Sequence, residues 1–137
     1  MLTVSSKFIY SLSAILELSL HPKGHCVQIK EIACAQNIPI SFLEQILMQL
    51  KNAGLVKSTR GAQGGYQLTK SPAEIKIADI LAAVHSPVNL TSTTTKENVI
   101  NDFLEDCQHC LKERFNTTIL QLIEKRKQRE EQNMYYI

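Results

Sequence analysis

At 137 residues, with 44% hydrophobic content, the chain suits one domain carrying an appended element, with enough apolar residues for a real core. Its 15 basic and 13 acidic residues nearly balance, so net charge alone points to no partner. The longest apolar stretch, Phe8 to Leu20, is too short to span a membrane and is interrupted by Glu17.

The first predicted element is a helix over residues 6–20, "SKFIYSLSAILELSL", with Phe8, Leu12, Ile15 and Ser19 on one face and Ile9, Leu16 and Leu20 beside it. "HPKG" ends it through Pro22 and Gly24. "VQIKEIACAQN" reads as a shorter second helix with Ile29, Ile32 and Ala33 inward, and Cys34 as a small buried apolar residue. After Pro39, Leu43, Ile46, Leu47 and Leu50 fall at i, i+3, i+4 and i+7, a buried helical stripe over residues 41–52. Ser41 and Glu44 have capping-box spacing, and Gly54 sits where a left-handed C-terminal cap belongs.

"LVKST" and "GYQLT" then read as two strands around "RGAQGG". A phosphate-cradling loop needs Gly-Lys-Ser/Thr running into a helix, whereas here Gly65 is followed by Tyr66 and an alternating strand. The glycines therefore turn a hairpin. "SPAEIKIADILAAVHSP" holds a helix from about Ile77 to Val84, and "NLTSTTTKEN" is a polar connector. From about Leu104 to Glu130 the pattern is helical again, with Leu111, Phe115, Ile119 and Leu122 as one stripe; "EKRKQREEQ" has no apolar face. The organisation is thus residues 1–88, a connector over 89–103, and 104–137.

The order helix, helix, breaker, helix, hairpin is a winged helix-turn-helix in a mainly α chain. Its third helix has the width the major groove admits, and a wing can bring Arg60 to the adjacent minor groove. Ser41, Phe42, Glu44, Gln45, Met48 and Gln49 lie opposite the buried stripe. Residues 1–70 hold seven Lys/Arg against three acids, and the rest eight against ten, so the basic half is the half that would meet a polyanion. No nucleophile–base pair or phosphate loop is present, so an enzyme is not expected. No small-residue cleavage site follows the first apolar stretch, so a cytoplasmic protein with reduced thiols is expected.

"SFLEQILMQLKNAGLVKSTRGAQGGYQL" closely resembles the signature of the IscR/NsrR/CymR-type family of winged helix-turn-helix transcription regulators. "SSKFIYSLSAILELSL" and "IKIADILAAVHSPV" are similar to that family's first helix and its post-wing helix. The resemblance implies a homodimer on an inverted-repeat, palindromic operator in double-stranded DNA, joined by a long C-terminal dimerisation helix. It implies DNA contacts by Ser41, Phe42, Glu44, Gln45 and Arg60. Phe8 and Ile9 stand where many members have Gly-Arg, so a phosphate contact by that Arg is lost.

Many family members also hold an iron–sulphur cluster sensing redox state, nitric oxide or cluster supply; others have none and answer to a partner protein. The resemblance makes "EDCQHCLKERF" a sensor loop leading into the dimerisation helix, where Cys110 falls at the family's last cysteine and Glu113 at the position of a histidine ligand. Four readings of Cys107 and Cys110 stand open: a [2Fe–2S] cluster completed by Glu113 or neighbours, zinc, a dithiol switch, and unliganded thiols. The alternative to a cluster-sensing regulator is a cluster-free regulator or protein-interaction module governed by a partner or a thiol switch.

Overall fold

The computed structural model describes residues 3–85, 90, 96 and 98–135. Six helices and one two-stranded sheet follow in the order α1 (Ser6–Ser19), α2 (Ile29–Gln36), α3 (Ile40–Asn52), β1 (Val56–Thr59), β2 (Gly65–Leu68), α4 (Ile77–Val84), α5 (Asn98–Phe115) and α6 (Ile119–Met134). This is the expected winged helix-turn-helix architecture.

Helix α1 starts at Ser5, whose hydroxyl accepts the Phe8 N–H at 3.2 Å. Its buried face is Phe8, Ser11, Ala14, Ile15 and Leu18, rotated from the expected one: Ile9 and Leu20 are exposed. The small residues Ser11 and Ala14 take the inward positions because α2, α3 and α4 all pack on this helix. Buried Ser11 is satisfied by donating to the Lys7 carbonyl at 2.7 Å. Helix α2 is shorter than expected and ends at Asn37, in the left-handed region at φ 52. Ile32 and Ala33 are buried, but Cys34 is exposed, one helical step past the inward face.

The stripe Leu43, Ile46, Leu47 and Leu50 of α3 is fully buried, as its spacing predicts. The helix closes in a Schellman motif: the Leu55 N–H donates to the Leu50 carbonyl and the Gly54 N–H to the Lys51 carbonyl, both at 3.0 Å, with Gly54 at φ 77. The chain then enters β1, which pairs antiparallel with β2 in the register Val56↔Leu68 to Thr59↔Gly65. A third segment joins this wing. Val27, expected inside the second helix, is extended and exchanges two backbone bonds with Tyr66, each 2.8 Å. That pairing is possible because residue 65 is glycine. A Cβ there would lie 2.4 Å from the Val27 carbonyl oxygen.

Helix α4 has the expected bounds. The C-terminal helical stretch differs in two ways from the single run expected over 104–130. It begins at Asn98, inside the segment expected as connector, and it breaks at residues 116–118 into α5 and α6. Residues 89, 91–95 and 97 of that connector lie outside the described residues. The break is written in the sequence as a capping box: Thr118 Oγ1 accepts the Gln121 N–H at 3.2 Å, and Gln121 Oε1 accepts the Thr118 N–H at 2.8 Å. Residues 75–77 and 117–119 then hold each other through Ile77 N–H to Thr117 and Ile119 N–H to Ile75. Ile119 and Ile123 enter the same core as α1. The stripe expected across Leu111, Phe115, Ile119 and Leu122 is therefore divided. Ile119 is fully buried, Leu122 packs on the core, Phe115 sets its ring edge-on to Phe8 at 6.3 Å, and Leu111 is exposed.

Candidate nucleic-acid interface

The outward face of α3 follows from the inward one. With Leu43, Ile46, Leu47 and Leu50 buried, Ser41, Glu44, Gln45 and Met48 are left exposed on the opposite side. The capping box expected between Ser41 and Glu44 is not formed. The helix starts one residue earlier, at Ile40, with Pro39 as its N-cap and no side-chain cap. Ser41 is then the second helical residue, and Glu44 is too far along to reach back to the cap. The consequence is chemical. The first N–H groups of α3 have no intrahelical acceptor, and the positive end of the helix dipole lies beside an exposed hydroxyl. Such an end suits an anion such as a backbone phosphate.

Phe42 sits at the edge of this face, 47% exposed, with its ring edge-on to Tyr10 of α1 at 6.0 Å. Part of its surface is therefore accounted for by packing, and Tyr10 is brought to the border of the interface. Gln49 lies on the same border, half-buried.

Arg60 immediately follows β1 and is exposed in the turn, with no hydrogen bond or ion pair among the described residues. Two side-chain bonds, neither legible in the sequence, fix the wing against the helices. Lys51 Nζ in the last turn of α3 donates to Ser58 Oγ at 2.7 Å, and Gln28 Nε2 donates to the Ala62 carbonyl at 3.2 Å. With the Val27–Tyr66 bridge, they hold α3 and the turn as two prongs at a set angle. Lys57 and Arg60 add exposed positive charge on the wing side, while Glu44 is the only carboxylate on α3.

Cys107 and Cys110 lie elsewhere, in the middle of α5 rather than in a loop. Cys107 is half-buried and Cys110 exposed. Glu113 is exposed, and its Oε1 lies 3.2 Å from His109 Nε2. A [2Fe–2S] centre takes four protein ligands and a structural zinc four. Among the described residues no group of three or more His, Cys, Asp or Glu is disposed to hold a metal ion. One chain therefore brings two thiols to the site but does not complete a ligand set. Helix α5 also has no buried residue: Val99, Ile100, Phe103 and Leu111 are exposed, Phe103 by 65%.

Comparison with known proteins agrees with this geometry. Residues 4–127 match the model of the Rrf2 family, described as "Iron-dependent Transcriptional regulator". The fold is similar to CymR (YrzC), the global cysteine regulator of B. subtilis, with a TM-score of 0.84 and 32% identity over 91% of this chain and 98% of that one. It is also similar to T. potens IscR, with a TM-score of 0.78 and 33% identity over 90% and 88% of the two chains. The HTH-type transcriptional regulator IscR of Aliivibrio salmonicida is 38% identical over 94 residues, 69% of this chain and 56% of the relative. Across the curated relatives the match spans 51% to 65% of their length.

Proposed function

The chain belongs to the Rrf2 family of transcriptional regulators, and from that premise we propose that it regulates transcription as a homodimer bound to an inverted-repeat operator. The observation that carries the reading is the pair of exposed prongs: the uncapped start and outward face of α3, and the wing turn with Arg60. In this reading α3 enters the major groove. The N–H groups at its start and Ser41 meet a phosphate, while Glu44 and Gln45 address base edges: a carboxylate accepts from cytosine N4, and Gln pairs with adenine. Phe42 offers an apolar edge to a thymine methyl. Arg60 enters the neighbouring minor groove, where negative potential concentrates.

The exposed apolar run on α5 supports the second copy. A helix with Val99, Ile100 and Phe103 in water and no buried residue of its own has an unpartnered face. Two-fold pairing through it would present the prongs symmetrically, which an inverted repeat matches. The test is fluorescence anisotropy of the full chain against genomic fragments and random duplex, at two stated salt concentrations. Preference for a subset of fragments, lost in Arg60→Ala, supports the proposal; equal binding to all duplexes ends it.

The family's description as iron-dependent supports a second reading, in which Cys107, Cys110 and Glu113 contribute to a cluster. The two thiols of one chain do not by themselves fit such a group, so the remaining ligands would come from the second copy. Their role here would be only to present thiolates from one helix. Iron and sulphide content of anaerobically purified protein decides between this and a cluster-free regulator.

A further inference from the structure

At the base of the wing, on the side away from α3's start, lies a cavity of about 220 Å³ between the end of α1, the loop 21–25 and residues 67–74. It belongs to neither prong. Thr69, on its wall, is bonded to the C-terminal cap of α3 through Gly54 and Leu55, and α3 separates that cap from Ser41 by about 20 Å at 1.5 Å per residue.

The lining is mixed, with Leu18, Leu68 and Pro72 beside polar groups, and its charged side chains are cationic on balance. Lys23 comes from the loop and Lys70 from the segment after β2, with His21 and His25 beside them, their rings stacked at 5.3 Å and 7°. Glu74 also lines the cavity, but its carboxylate is already engaged: Oε2 accepts the Ser71 N–H at 3.0 Å and the Ser71 hydroxyl at 3.1 Å. Those bonds, the backbone one first, hold Glu74 below its usual carboxyl range, and Lys70 and Lys23 add smaller pulls in the same direction. Two lysines from separate segments thus line one cavity with a single carboxylate, which leaves an excess of positive charge there. The volume is small for a drug-sized ligand and suits a compact ion.

We infer that this cavity binds a small anion bearing a phosphate or carboxylate group, held between Lys23 and Lys70. The site has a mechanical connection to the wing. Gln67, on its wall, donates from Nε2 to Cys26 Sγ at 3.4 Å, and the next residue, Val27, is paired with Tyr66. An anion bridging Lys23 and Lys70 therefore ties the loop before Val27 to the segment after β2.

The experiment is an NMR titration of the full chain with inorganic phosphate, and separately with acetate, against a chloride control at constant ionic strength. Saturable amide shifts at Gly24, Thr69 and Ser71 are expected with at least one of the two anions. The Lys23→Gln, Lys70→Gln double variant should weaken that binding at least tenfold. Arg60→Gln, which acts on the proposed DNA surface, should leave it unchanged, so failure here and failure of the DNA reading are separate results. Shifts with neither anion, equal affinity in the double variant, or loss in Arg60→Gln would each overturn the inference. Phosphate without acetate names a phosphate ligand; acetate without phosphate names a carboxylate.

Discussion

Replacing Gly65 with alanine tests how the wing is held. The new Cβ would stand 2.4 Å from the Val27 carbonyl oxygen, 2.6 Å from its carbon and 3.0 Å from Gln28 N, all backbone atoms that no rotamer change can clear. Residue 65 also sits at φ 139, where a side chain is strained. The bridge to Val27 must open, at a cost of two backbone hydrogen bonds worth about 1 kcal/mol each. Backbone strain adds about 1 kcal/mol or more. The expected loss is therefore about 3 kcal/mol, or about 10 °C in Tm for a chain of this size. Urea unfolding followed by circular dichroism measures the loss. Hydrogen exchange locates it, because the Val27 and Tyr66 amides should lose protection while those of α3 keep it. Unchanged stability with both amides still protected would refute the role given to this glycine.

Arg60→Ala should leave stability intact and weaken DNA binding by about 1–3 kcal/mol, or about 5- to 150-fold, in an anisotropy titration. Ser41→Ala separates capping from recognition: with no cap bond to lose, unfolding free energy should hold within about 0.5 kcal/mol while DNA affinity falls. Thr118→Ala removes a cap that does exist and should cost about 1 kcal/mol in denaturant unfolding. Phe103→Asp should yield a folded monomer by sedimentation, since no α5 side chain is buried within the chain. In anaerobic metal analysis, a [2Fe–2S] cluster predicts iron and sulphide in equal amounts that are lost in Cys110→Ser; protein holding neither would leave the cluster-free regulator.

The sequence was most legible where local periodicity and tertiary packing agree. Leu43, Ile46, Leu47 and Leu50 read as buried and are; the bounds of α4 and the Gly54 cap needed no neighbours to define them. The glycine run read as a hairpin, but positive φ was only half the reason: Gly64 is required because a Cβ would meet the Thr59 carbonyl oxygen at 2.1 Å, a contact no single-strand pattern reveals. Val27 departs from the helical pattern around it because its partner is 39 positions away, at Tyr66. Ser41 and Glu44 match a capping box by spacing, yet Pro39 takes the cap. Thr118 and Gln121, a true box, were hidden inside a run that looked continuously helical. The two-prong surface was thus readable from residue pattern, whereas the bonds that set its angle, Lys51–Ser58 and Gln28–Ala62, arise only when distant segments meet.

Hydroxyl-radical footprinting on a genomic fragment selected by the protein tests the two-pronged, two-fold surface most directly. Two equivalent protected patches should appear, centred about 10 base pairs or a multiple apart, with flanking minor-groove protection that disappears in Arg60→Ala. A single unpaired patch, or uniform protection insensitive to Arg60, would contradict it.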